Sequence, residues 1–194
     1  MSGQVIFLSS TNSALTGGYF SQTPGIRGLV SVSKGGFVAN AVRNSDLMNP
    51  DSRANFNMIN SSYTKTFGNF SAAFATELYI FDKHIDFDFI VPMLTLNLKG
   101  AVNLEFCILY GYTFRGNYDD LFSQRLAISK DYAGFTFKLT GWNVNFGTHR
   151  QALAFEVSTK LSERIRLFVS GNMNHIYETE TTQKFGVVRL AYSF

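Results

Sequence analysis

The sequence has one cysteine, Cys107, so no intrachain disulfide can form and a disulfide-stapled scaffold is excluded. It has three prolines in 194 residues. Charged residues make up 16% of the chain, whereas water-soluble domains run near about 25%. No stretch approaches about 18 consecutive apolar residues, so no transmembrane helix is encoded. The N-terminal MSGQVIFLSS has no basic region and too short an apolar run for a secretory signal. The expectation is a mature form, without signal peptide, in which residues 1–3 are an added start. The net charge is +3, but the lysines and arginines are scattered singly. No basic run or binding motif points to nucleic acid. Phosphate loops, Cys/His clusters and dinucleotide motifs are missing as well.

What the sequence has in abundance is aromatic: 20 Phe and 9 Tyr. Phe, Tyr, Val and Thr suit strands, and period-two alternation runs through nearly the whole chain. In AVNLEFCILYGYTF, Val102, Leu104, Phe106, Ile108, Tyr110, Tyr112 and Phe114 share one face, and Asn103, Glu105, Cys107, Leu109, Gly111 and Thr113 share the other. Phe135, Phe137 and Leu139 oppose Thr136 and Lys138; Leu153, Phe155 and Val157 oppose Ala152, Ala154, Glu156 and Ser158. In HIDFDFIV, Ile85, Phe87, Phe89 and Val91 form the apolar face, which passes to Leu94, Leu96 and Leu98 across a bulge expected at Pro92. Turn signals divide the chain into segments 4–9, 26–33, 36–45, 54–66, 70–81, 84–98, 101–114, 121–130, 134–146, 149–158, 164–176 and 184–194. The first four alternate less cleanly, and ten strands is the alternative count.

Connections alternate between tight turns (SKGG, FGN, KG, KDYAG, TKLSE) and mostly longer polar loops at 10–25, 46–53, 115–120 and 177–183. An even strand count puts both termini at the tight-turn end. Each tight turn carries a lysine, Lys34, Lys65, Lys99, Lys130 or Lys160, while Asp46, Asp51, Asp82, Asp119, Asp120, Glu178 and Glu180 gather at the loop end. Lysine stems can snorkel to anionic headgroups, and acids at a mouth attract cations. The faces opposite the aromatics are small and polar, which suits a crowded lumen rather than a water-facing wall. A soluble barrel or sandwich would show the same period with the polarity reversed. The fold expected is all-β: a single-domain transmembrane antiparallel up-and-down barrel of about 12 strands.

The ending VRLAYSF resembles the C-terminal signature of bacterial outer-membrane β-barrels, carried here by Val188, Leu190, Tyr192 and Phe194. GGYFSQTPGIRGLVSVSKGGFVANAVRNSD is similar to the opening hairpin of small porin-like barrels. The resemblance implies the outer membrane of a Gram-negative bacterium, with its lipids and the barrel-assembly machinery as partners. It implies a porin-like channel for passive passage of small hydrophilic solutes. A non-conducting structural barrel within a membrane complex is the alternative, and a lipid-modifying enzyme comes third. No cofactor or metal is expected. His84, His149 and His175 read as rim residues, no Ser/His/acid spacing stands out, and Cys107 reads as a small packing residue. The residues expected in the lumen are Arg27, Glu77, Asp86, Asp88, Glu105, Arg125, Lys138, Arg150, Glu156, Arg166 and Arg189, with Asp86, Asp88 and Glu105 expected to set any ion preference.

Overall fold

The computed structural model describes residues 2–9, 11–12, 19–21, 23–52, 54–82, 88–115 and 120–194. All regular structure among them is strand. The strands are β1 (Ser2–Leu8), β2 (Thr11–Asn12), β3 (Tyr19–Ser21), β4 (Gly25–Lys34), β5 (Phe37–Asp46), β6 (Phe56–Phe67), β7 (Phe70–Phe81), β8 (Asp88–Leu98), β9 (Asn103–Arg115), β10 (Leu121–Tyr132), β11 (Phe135–Phe146), β12 (Thr148–Lys160), β13 (Ile165–Ile176) and β14 (Thr181–Ser193). Strands β2 and β3 pair only with each other. The other twelve form a closed antiparallel barrel in sequence order, sealed by β1 against β14. Closure satisfies every strand edge, which a sheet in lipid requires.

The turn chemistry matches the hairpins it makes. Gly35 and Gly36, between β4 and β5, both have positive φ, 56° and 84°, the conformation of a tight hairpin turn. A Cβ on Gly36 would come within 2.6 Å of the Thr64 carbonyl oxygen. Ala133 and Gly134 do the same between β10 and β11, at φ 51° and 82°. Tight turns therefore sit at one end, with the longer loops at the other. Both termini lie at the tight-turn end. Ser2 and Gly3, set apart in the sequence reading, belong to β1, and Gly3 exchanges backbone hydrogen bonds of 3.1 and 3.0 Å with Phe194.

Side chains alternate across this wall. On β9, Leu104, Phe106, Ile108, Tyr110, Tyr112 and Phe114 are exposed on the outside, whereas Cys107, Leu109 and Gly111 are buried inside. Phe74, Leu94, Leu126, Leu139, Phe155, Val169 and Val188 continue the outer band around the barrel. A water-soluble barrel would bury these residues. An apolar band around a closed barrel with polar residues inside is a wall solvated by lipid.

Strand β8 differs from its sequence reading. Its register with β7 runs unbroken through Pro92, and the irregularity with β9 lies between Asp88 and Phe89. Pro92 points outward on a regular strand, so Phe89 and Val91 face inward, at 7% and 0% exposure.

Candidate functional site

The lumen has two unlike parts. Towards the loop end, inward side chains of β6 to β11 pack into an apolar plug: Phe56, Tyr79, Phe81, Phe89, Val91, Leu109, Leu121 and Val144, with Trp142 and Phe146 against it. The Tyr79 and Phe89 rings stack at 4.7 Å and 12°, and Phe81 lies 5.7 Å from Phe89. These positions read as lumen-facing only if an inner face can be apolar. Period-two patterning fixes which residues share a face, not which solvent the face meets, so the plug escapes sequence reasoning.

The remaining inner wall is polar. A ladder of direct cross-strand partners runs Ser31, Asn40, Asn60, Glu77 over β4 to β7. Ser31 Oγ donates to Asn40 Oδ1 at 2.5 Å, Asn40 Nδ2 to Asn60 Oδ1 at 3.0 Å, and Asn60 Nδ2 to Glu77 Oε1 at 3.3 Å. Tyr79 Oη donates to Glu77 Oε2 at 2.7 Å, joining the ladder to the plug. Buried polar groups need such partners, and here each rung supplies one.

On the opposite wall, charges pair. Arg125 Nη2 lies 3.0 Å from Glu105 Oε1, and Lys138 Nζ lies 3.9 Å from the same oxygen. Arg189 is ion-paired to Glu156. The Arg189 guanidinium also sits 4.7 Å from the Phe168 ring centroid, and that of Arg166 sits 5.9 Å from it. Arg27 Nε donates to Asn44 Oδ1 at 3.0 Å. Among the described residues, no carboxylate comes within ion-pair distance of Arg27, Arg150 or Arg166. Arg27, Glu105, Arg125, Lys138, Glu156 and Arg189 border one cavity of about 300 Å³ at mid-height. A second, of about 260 Å³, opens toward the tight turns past Ser71, Asn97 and Ser129 and shares Glu105 and Lys138 with the first.

Of the other residues expected in the lumen, Arg150 lies on the inner face near the loop end of β12, and its Nη2 donates to Thr148 Oγ1 at 3.0 Å. Arg166 lies near the tight-turn end of β13. Asp88 is buried at the start of β8, and its Oδ1 accepts the Phe81 backbone N–H at 3.0 Å. Asp86 lies outside the described residues, as does His84. Cys107 is fully buried on the inner face. Val188, Leu190, Tyr192 and Phe194 are exposed on the outer face of the closing strand. Phe168, Asn44 and Asn60 are contributors that the sequence reading missed. Phe168 had a usable signal, since it alternates with Arg166 and Ser170 on a polar face. No group of three or more metal-ligating side chains occurs among the described residues.

No protein-family model matches the sequence, and no curated protein does. Solved structures do resemble it. The KdgM porin superposes with a TM-score of 0.71 at 12% identity, over 100% of this chain and 99% of that one. The same porin in complex with disordered oligogalacturonate gives 0.67 at 11% identity, over 100% and 99%. The NanC porin gives 0.67 at 12%, over 100% and 98%. At these identities the likeness is one of fold: an antiparallel outer-membrane porin barrel matched end to end.

Proposed function

We propose that this chain is an outer-membrane channel whose lumen passes small hydrophilic solutes passively, anions in preference to cations. The observation that carries the reading is the mid-lumen belt. Four cations, Arg27, Arg125, Lys138 and Arg189, meet two carboxylates, Glu105 and Glu156, around a cavity at the middle of a closed barrel. The plug fills the loop end beside β6 to β11, and the belt lies below it. Fields focus where a low-dielectric wall narrows. The charge of that belt therefore weighs more than the acids at the rims.

The proposed preference is opposite in sign to the one expected from Asp86, Asp88 and Glu105, and the reason is physical. Asp88 is turned to the Phe81 N–H, and Glu105 is held between Arg125 and Lys138. Among the described residues, Arg27 donates to an amide oxygen and has no carboxylate at ion-pair distance. A similar fold admits an acidic saccharide in the oligogalacturonate complex of the KdgM porin, in keeping with an anionic solute here. The fold neighbours are channels rather than enzymes, which favours transport over lipid chemistry. Reversal potentials in planar bilayers under a potassium chloride gradient test the reading. An anion-selective conductance supports it, and a silent barrel at high salt would replace it with the non-conducting alternative.

A further inference from the structure

The outer wall carries a feature that neither the lumen nor a bare lipid-facing surface explains. Gln124, Asn143, Gln151, His175 and Thr182 are direct cross-strand partners in one unbroken row over β10, β11, β12, β13 and β14. All five point away from the lumen. The row is organised from the loop side. His149 Nε2 lies 2.8 Å from Asn143 Oδ1, Tyr177 Oη donates to Gln151 Oε1 at 2.8 Å, and His175 Nδ1 lies 2.9 Å from Thr182 Oγ1. The Tyr177 ring stacks on His149 at 4.7 Å and meets His175 edge-on at 4.8 Å. The Gln124 amide has no hydrogen-bond partner among the described residues.

Immediately below the row the wall is hollow. Gly141 sits between Leu126 and Leu153, and a Cβ built on it would meet nothing within 4 Å. The groove there measures about 610 Å³. Phe106, Leu126, Leu153 and Met173 line its lower part, and Gln124, Asn143, Gln151 and His175 its upper part. Lys184, the cross-strand partner of Met173, flanks it on β14. The depression is thus apolar towards the membrane interior. At its loop-end edge it is amide-rich, and Lys184 stands beside its apolar part.

We propose that this groove is a binding site for a phosphorylated, acylated sugar lipid of the outer leaflet. One acyl chain occupies the hollow over Gly141, and the headgroup lies on the amide row. Side-chain amides donate and accept at once, as sugar hydroxyls and amide-linked acyl groups require. Lys184 supplies positive charge for the phosphate, and the His149 and His175 rings supply hydrogen-bonding nitrogens. The Gln124 amide would go unsatisfied against hydrocarbon at a cost, and the spare donors and acceptors of the row suit a polar occupant at its own depth. A second copy of the barrel fits less well, because two convex walls meet along a line and leave the depression empty. The proposal rests on the membrane-spanning reading of the wall and is independent of whether the lumen conducts.

Native mass spectrometry of the folded barrel, released from amine-oxide micelles after incubation with diphosphorylated lipid A or with phosphatidylethanolamine, tests it. The parent should retain one lipid A at concentrations where phosphatidylethanolamine is lost. Combined Gln124→Leu, Asn143→Leu and Gln151→Leu should weaken retention about tenfold or more, the loss of a few hydrogen bonds. Gly141→Trp, which fills the hollow and leaves the row intact, should do the same. Heat-modifiable gel mobility checks that each variant is folded. Retention of neither lipid or of both equally, or retention unchanged in the two folded variants, overturns the site. A parent dimer that the triple substitution dissociates would make the row a contact between barrels instead.

Discussion

Neighbouring residues on one strand of this barrel meet different solvents, and their substitutions should behave accordingly. Phe106 lies in the lipid-facing band and Glu105, beside it, in the lumen. Phe106→Arg should destabilise the folded barrel by about 2–4 kcal/mol, the cost of a cation near mid-membrane. Gln124→Arg, on the next strand nearer the loop end, should cost about 0–1 kcal/mol because it can reach the interface. Urea unfolding in vesicles measures both, and tolerance of Phe106→Arg would reverse the assignment of faces. This facing was legible in the sequence because AVNLEFCILYGYTF alternates without interruption. The contact of Arg189 with Phe168 was not, since a cation–π contact between strands depends on which strands become neighbours.

A second residue-scale prediction concerns the loop end. Arg43 holds Asp82 in a bidentate pair at 2.7 and 2.5 Å, which keeps the Asp82 carboxyl below the usual carboxylate range. A depressed folded pKa means the pair's stabilisation is present above the ordinary aspartate pKa. It is lost as pH falls through the depressed value. Half-exposed, the pair contributes little overall, but the titration itself is readable. Carbon-13 NMR of the carboxyl should give a midpoint below that of an ordinary aspartate, and Arg43→Ala should raise it back.

At the scale of elements, β8 shows where pattern reading stopped. Phe89, Val91, Leu94, Leu96 and Leu98 are all apolar, so the strand contains two faces that look alike. A bulge at Pro92 was the natural way to keep every apolar residue in lipid. The structure instead keeps a regular strand and puts Phe89 and Val91 into the lumen, where Phe56, Tyr79 and Phe81 complete an apolar plug. That plug is long-range: its members come from six strands, β6 to β11, and no local window contains it. Phe89→Ala should cost about 3–5 kcal/mol as a buried aromatic deletion. It should also raise single-channel conductance by widening the loop end. Lower stability with unchanged conductance would mean that the plug lies off the conducting path. For β14, deletion of Phe194 should lower membrane levels in cells and leave detergent refolding nearly intact. Unaltered levels would argue against an assembly role.

For the whole molecule, strand number, turn asymmetry and closure were legible because each follows from local chemistry repeated around the ring. The pairing of charges across the lumen was not, because it depends on the stagger of the closed barrel. That stagger decides the sign of the selectivity. Glu105 meets Arg125 and Lys138, Glu156 meets Arg189, and Arg27 meets Asn44. Removing a carboxylate from this belt frees an arginine, and removing Arg27 deletes a charge that has no carboxylate at ion-pair distance among the described residues. The two changes should move reversal potential in opposite directions under the same salt gradient. Glu156→Gln should increase anion preference, because Arg189 keeps its place over Phe168. Arg27→Gln should decrease it while keeping a polar side chain on the lumen face. Both effects should fade at high salt, because the charges lie within a few Debye lengths of the passing ion and that length is about 3 Å at 1 M. If the belt were a closed salt-bridged plug, the parent would be silent and Glu156→Gln would open a leak by leaving Arg189 without its partner. A conducting parent whose reversal potential moves in opposite directions in the two variants is the result that a plug cannot give.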